Sequence, residues 1–216
     1  MFSILMPIYN GIEFIDDSVN SIINQTFTEW ELIISINGHE KNSDVYNIAK
    51  KYESDKIKIY DLDTKGKSNT LNESLKYCKY EKICLLDVDD IWRPTKLEQQ
   101  SHFINNYDVV GTYCEYFGIR KGKPELVVGH ISPIIFKLFN PIINSSSCFN
   151  KKDAYWNSEY DSIEDYDMWL RLMTEGKTFY NINDILVYHR LHKSSSFNGT
   201  SKQEDLLPIL MKKYFN

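Results

Sequence analysis

Ile83-Cys-Leu-Leu-Asp-Val-Asp-Asp90 is an apolar run that stops at three carboxylates, Asp87, Asp89 and Asp90, within four positions. Four apolar residues in succession fit a strand covered on both faces, as in a parallel sheet flanked by helices. Burial gives no reason for acids to follow. Three close carboxylates repel one another unless a cation or hydrogen-bond donors neutralise them. Oxygen ligands at the carboxyl end of a buried strand suit Mg²⁺ or Mn²⁺ carrying a phosphate. A turn that is simply acidic fits the same residues, because Asp is common after strands. The cluster alone leaves both readings open.

Upstream of this run, short apolar stretches alternate with helix-period segments, the pattern of βα units around a largely parallel sheet. Residues 3–8 read as a first strand and lead through Tyr9-Asn10-Gly11 into a helix over 12–25, where Ile15, Val19, Ile22 and Ile23 recur at helical spacing. A strand over 30–36 ends at the turn signal Asn37-Gly38, a helix follows over 43–52, and 57–62 forms the third strand. Gly66 breaks the chain before a helix over 68–78 that delivers the acidic strand. Downstream, residues 91–94 turn into a helix over 94–105. Residues 108–118 and 125–128 read as strands of a more antiparallel region, 131–140 as a short helix or loop, and 144–150 as a polar strand. A helix spans 162–173, and 178–182 with 185–189 form a last strand pair. Residues 205–215 read as a terminal helix with Pro208 in its first turn.

The 216 residues suit one domain with a sizeable core. A net charge of -5 without a basic stripe excludes strong attraction to nucleic acid. Cys78, Cys84, Cys114 and Cys148 include no C-x-x-C pair, which fits reduced, buried thiols and a cytoplasmic setting. No secretory signal is visible and no stretch reaches the length of a membrane span, so membrane association is expected to be peripheral at most. The triplets beginning at Asn144 and Asn198 match the N-glycosylation pattern, which a cytoplasmic chain would not use.

In chain order, Pro7-Ile-Tyr-Asn10, Gln25-Thr26, Trp30-Glu-Leu-Ile-Ile34, Gly66 with Leu71-Asn72, Leu86-Asp-Val-Asp-Asp90, Trp92 with Pro94, Lys96-Leu-Glu98, Glu164-Asp-Tyr-Asp167 with Trp169-Leu-Arg171, and Arg190 with His192 resemble the family-2 inverting glycosyltransferases. Each motif is weak alone, but the ordered set is specific. The resemblance implies a GT-A (Rossmann-like) α/β fold: a mainly parallel central sheet flanked by helices, with a smaller antiparallel region on the acceptor side. It implies one domain over 1–216, in which 1–100 hold the nucleotide sugar and 101–216, with the terminal helix, hold the acceptor. The implied reaction moves a sugar from a nucleotide-diphosphate donor, a UDP-sugar foremost, to an acceptor hydroxyl by single displacement, with Mn²⁺ or Mg²⁺ as cofactor. The acceptor would be a glycan, a lipid-linked molecule or a protein.

By the same resemblance, Asp165 corresponds to the base that takes the hydroxyl proton, and Glu164 would orient the acceptor. An acidic first turn is also ordinary helix chemistry. Asp89, Asp87, Asp90 and His192 are the implied metal ligands. Pro7, Tyr9, Asn10, Asn37, Asn72, Asp87, Val88 and Arg190 are the implied donor contacts, with the planar fork of Arg190 suited to a phosphate; Lys65 and Lys67, outside the resemblance, could also reach the nucleotide, and a solvated basic turn fits them equally. His189 is expected to be scaffold, and Trp92 and Trp169 to pack. Asn37 departs from the family, which commonly has an Asp there to read uracil; the Asn amide can still pair with uracil without excluding other bases. A nucleotidyltransferase would place carboxylates similarly, but Tyr9-Asn10-Gly11-Ile12-Glu13 lacks the Gly- and basic-rich loop that holds a triphosphate. A catalytically silent nucleotide-sugar-binding module is the other alternative, and Asp89, Asp165 and His192 argue against it.

Overall fold

The computed structural model describes residues 1–193 and 201–215. Its first half follows the alternation in the sequence: β1 (Phe2–Ile8), α1 (Ile15–Ile23), β2 (Trp30–Ile36), α2 (Asp44–Lys50), β3 (Ile57–Asp61), α3 (Lys67–Ser74) and β4 (Lys82–Leu85). These strands lie in the order β3-β2-β1-β4, all parallel, as right-handed crossovers through helices require. The period of two along β1 divides its side chains between two cores. Phe2, Ile4, Met6 and Ile8 face α1 and α2, while Leu5 joins Leu71 of α3 on the opposite face.

The second half adds β5 (Ile91–Trp92), α4 (Lys96–Phe103), β6 (Val109–Gly118), β7 (Gly129–His130), β8 (Cys148–Asn150), α5 (Glu164–Thr174), β9 (Phe179–Leu191) and α6 (Ser201–Phe215). The sheet continues from β4 through β8, β6 and β9 to β5, with β7 also on β9. β8 runs antiparallel to both β4 and β6, whereas β6 and β9 pair in parallel, so the expected antiparallel region is mixed.

Several expected elements change here for local reasons. Residues 125–128 form no strand: Pro124 removes a ladder donor, and the Val127 carbonyl is served by the Asn181 side chain at 2.8 Å. The two short strands expected over 178–182 and 185–189 are one strand, β9. Its register against β6 jumps from Thr112–Ile182 to Tyr113–Ile185, so the exposed pair Asn183 and Asp184 bulges out rather than turning the chain. Residues 144–146 form a 3₁₀ turn, and only Cys148–Asn150 pair as a strand. Ile91 and Trp92, read as a turn, pair with β9. Pro208 lies inside α6, because that helix begins at Ser201. There it faces solvent, where the missing N–H is least costly.

Gln25, at the end of α1, reaches across to α4. Its amide donates to the Arg93 carbonyl at 2.8 Å and accepts from the Leu97 N–H at 3.0 Å. Trp92 and Trp169 are both buried, as packing requires. Replacing either with Ala would cost about 3–5 kcal/mol through the cavity left behind. All four cysteines are free and buried. Among the described residues no helix is long and apolar enough to cross a membrane.

Candidate active site

Parallel strands bring their carboxyl ends to one edge of the sheet, and a cleft of about 600 Å³ opens there. The turn after β1 supplies Pro7, Tyr9 and Asn10, the end of β2 supplies Asn37, the turn after β4 supplies Asp87, Val88 and Asp89, and the start of α3 supplies Lys65 and Lys67. His192 closes the other side. Gly38 is fixed by its neighbour: a Cβ there would come within 2.9 Å of the Tyr9 ring, and its φ of +73° disfavours any side chain. Tyr9 is 56% exposed over that glycine, so its ring can stack on a base.

The three carboxylates of the opening motif separate in space. Asp87 meets the Lys67 ammonium at 2.9 Å and accepts hydrogen bonds from Asn144 at 2.9 Å and the Ser145 hydroxyl at 3.3 Å. Burial pushes its pKa up, but Lys67 and Asn144 outweigh burial and leave it below the usual carboxylate range. Asp89 faces His192, with Nε2 2.9 Å from Oδ2. Burial, and then the neighbouring charges of Asp90 and Asp87, push Asp89 upward. Asp90 turns inward and is fully buried. It accepts the Arg190 backbone N–H at 2.8 Å and sits 3.0 Å from His189 Nδ1. It is therefore an anchor for β9 rather than a cleft carboxylate, which corrects its placement among the metal ligands. Burial opposes a charge on His189, but Asp90 outweighs burial and holds the imidazole pKa above its ordinary value.

Asp89 and His192 present one carboxylate and one imidazole, a donor set that Mn²⁺ accepts. Among the described residues no group of three or more His, Cys, Asp or Glu side chains is arranged to hold a metal by itself. An ion here would need diphosphate oxygens and water to complete its shell, which is how Mg²⁺ and Mn²⁺ commonly bind beside phosphates.

A second cavity of about 940 Å³ meets the first at Lys67, Asp87 and His189. Its walls are residues 137–144, the first turn of α5 and one side of α6. Glu164 and Asp165 both line it. Glu164 accepts the Ser162 N–H at 2.8 Å and lies 3.4 Å from the Lys67 ammonium. Ser162 has a φ of +103°, a costly conformation for a residue with a side chain, and Gln203 of α6 clamps its carbonyl at 2.9 Å. Asp165 accepts the Tyr166 N–H at 2.7 Å on one oxygen and the Asn140 amide at 3.0 Å on the other. Burial, then the charge of Glu164, pushes its pKa up to about 7. Burial opposes the charge on Lys67, but Asp87 and Glu164 more than offset it and hold the ammonium protonated. A carboxyl with a pKa of about 7, in a cavity that opens onto the neighbouring cleft, can serve as a general base.

Two expected donor contacts stand elsewhere. The Asn72 side chain clamps the Trp156 backbone through bonds of 2.7 and 3.0 Å and does not line the cleft. Arg190 bonds the Asp89 carbonyl at 2.8 Å and Asp17 at 2.6 Å, and its guanidinium lies over the rings of Phe14 and Phe117. It braces the acidic turn from behind. Conversely, Asn140, Asn144 and Ser145 were not singled out as site residues. The triplet Asn144-Ser-Ser turns its Asn144 amide and Ser145 hydroxyl to Asp87, and Trp92 fixes it by donating its indole N–H to the Ser145 carbonyl at 2.7 Å. Asn198-Gly-Thr lies outside the described residues. A run of small polar residues directly after the apolar Pro141-Ile-Ile143 was the available signal.

Comparison with known proteins agrees with this geometry. The chain is 32% identical to the O-antigen biosynthesis glycosyltransferase WbnJ of Escherichia coli over 91% of its own length and 82% of that protein. It is 29% identical to the UDP-Glc:alpha-D-GlcNAc-diphosphoundecaprenol beta-1,3-glucosyltransferase WfaP of Escherichia coli, over 90% of this chain and 79% of WfaP. Among solved structures, S. aureus TarS 1-349 in complex with UDP-GlcNAc superposes with a TM-score of 0.77 at 19% identity, covering 97% of this chain and 65% of that one. That likeness shows a shared GT-A fold. The sequence profile described as Glycosyl transferase family 2 matches residues 3–159, a span that takes in the cleft residues from Pro7 to Asp89. An acidic turn at the end of a buried strand is common by itself, but with a profile match over most of its length and relatives of this similarity the chain belongs to glycosyl transferase family 2, as a glycosyltransferase enzyme.

Proposed function

We propose that the chain transfers one sugar from a UDP-sugar to a hydroxyl of a lipid-linked glycan, with inversion, by single displacement assisted by a divalent cation. The observation that carries this reading is Asp165, a carboxyl with a pKa near 7 on the wall of a cavity that joins the donor cleft. The acceptor oxygen attacks the anomeric carbon while its proton passes to Asp165. The bond from that carbon to the diphosphate breaks, and the diphosphate leaves with the electron pair. Lys67 places positive charge between the two cavities, next to the leaving group. A bound Mn²⁺ or Mg²⁺, held by Asp89 and His192, would neutralise the departing diphosphate as a Lewis acid. Tyr9 and Asn37 bound the nucleotide end of the cleft. The names of WfaP, for UDP-Glc and a diphosphoundecaprenol-linked acceptor, and of the TarS complex with UDP-GlcNAc support the choice of donor and acceptor class.

Incubation with a panel of nucleotide sugars and Mn²⁺, followed by measurement of released nucleotide and of product anomeric configuration by NMR, tests this. The expected result is release from a UDP-sugar, dependent on added metal, with inverted product. Retained configuration would reject single displacement, and release from a non-uridine donor alone would reject the donor.

A further inference from the structure

Residues 131–143, Ile-Ser-Pro-Ile-Ile-Phe-Lys-Leu-Phe-Asn-Pro-Ile-Ile, carry one charge, Lys137, in a chain whose net charge is -5. A segment this apolar is expected to be buried, and Phe136 is. Its neighbours are not: Ile134 is 55% exposed, Leu138 70% and Phe139 37%. Leu207 of α6, 42% exposed, lines the same cavity wall as Leu138 and Phe139. The two elements are joined where the Lys137 ammonium lies 5.1 Å over the Phe215 ring, which brings Lys137 to the basic end of α6, beside the exposed Lys212. The result is an apolar lip with lysines at its edge, on the mouth of the cavity that holds Asp165.

Exposed large apolar side chains grouped on one rim mark an interaction surface. Several features here narrow the partner. The patch is continuous with the Asp165 cavity, so whatever covers it also adjoins the bound acceptor. Over the two segments that form the lip, 131–143 and 201–215, Lys137, Lys202, Lys212 and Lys213 outnumber Glu204 and Asp205, a net charge of +2 that complements an anionic surface. Leucine, isoleucine and phenylalanine flanked by lysine is the composition of elements that lie in the headgroup boundary of a bilayer. We propose that the lip formed by Ile134, Leu138, Phe139 and Leu207 docks on an anionic lipid bilayer, bringing the mouth of the acceptor cavity to the membrane plane. This rests on the reading of that cavity as the acceptor side. Docked this way, the protein meets a lipid-linked acceptor diffusing in two dimensions, and the donor cleft, whose lining residues are not on the lip, stays open to water.

Cosedimentation of the full chain with vesicles tests the surface without requiring any transfer. The expected result is binding to phosphatidylglycerol-containing vesicles that exceeds binding to phosphatidylcholine vesicles and falls with added salt. The variant Leu138→Ser/Phe139→Ser/Leu207→Ser should lose binding by about tenfold or more while its circular dichroism is unchanged. If the triple variant does not fold, Leu138→Ser alone, at a position already mostly in water, should reduce binding severalfold. Absence of wild-type binding to either vesicle would overturn the proposal and leave the lip to a protein partner. Equal binding by wild type and the rim variants would also overturn it. Failure of glycosyl transfer to every acceptor, with vesicle binding intact, would instead reject the proposed function and leave the docking surface standing.

Discussion

The cleft proposed to hold the donor and the cavity proposed to hold the acceptor are built in opposite ways. The donor cleft is lined by turns that follow parallel strands, held by backbone bonds and by glycines such as Gly38 that leave no room for variation. The acceptor cavity is walled by a loop with a 3₁₀ turn and by α6, with apolar side chains facing water. The diphosphate is common to all nucleotide-diphosphate sugars, so a rigid sheet edge suits it. Acceptors differ, and irregular segments can change without disturbing the sheet. The difference predicts that a substitution in one cavity, away from the shared residues Lys67, Asp87 and His189, should leave binding in the other intact.

The largest expected effect is at Asp165. Asp165→Asn should lower kcat about a thousandfold, the range for removal of a general base, while the Kd for the donor nucleotide stays unchanged by titration. Loss of donor binding in that variant would break the division between the two cavities. A smaller effect is expected at Asn140, whose amide nitrogen donates to Asp165 and whose amide oxygen accepts the Ile142 N–H at 3.2 Å. Its amide donates to the ionised carboxylate, so Asn140→Ala should raise the Asp165 pKa and move the rising limb of the pH–rate profile to higher pH. A loss of kcat of about tenfold should accompany that shift, with KM for the donor unchanged. A fall in kcat without the pH shift would mean that Asn140 only supports the fold.

The smallest effect concerns stability. Because the folded pKa of Asp165 is raised to about 7, its protonated form favours folding. That contribution is complete below the ordinary carboxylate pKa of about 4 and is lost as pH rises through about 7. Transfer, which needs the ionised form, should rise over the upper part of that window. Asp165→Asn should therefore raise Tm by about 2–4 °C at pH 8, and by less at pH 5, in thermal unfolding followed by circular dichroism. An equal gain at both pH values would remove the burial argument.

The βα order, both acidic clusters and the packing of Trp92 and Trp169 were legible because each has a local cause in period, charge or size. What the sequence did not disclose depends on partners remote along the chain. Asp90 looks identical to Asp87 and Asp89 until β9 arrives, about 100 residues later, to bury it under Arg190 and His189. Asn72 and Arg190 fit a nucleotide site by residue type, but the Trp156 backbone and Asp17 take their polar groups first. The continuity of β9 was hidden for a similar reason: Asn183-Asp184 has the composition of a turn, and only the register slip against β6 shows it to be a bulge.

Lys67 is a wall common to both cavities, its ammonium shared between Asp87 on the donor side and Glu164 on the acceptor side. A diphosphate entering beside it draws on the same positive charge that Glu164 uses. If the two cavities bind donor and acceptor as proposed, their binding equilibria are linked through this single side chain. By reciprocity, whatever factor the donor imposes on acceptor affinity, the acceptor must impose on the donor. On the proposed reading, the affinity of each site thus depends in part on one lysine at the start of α3.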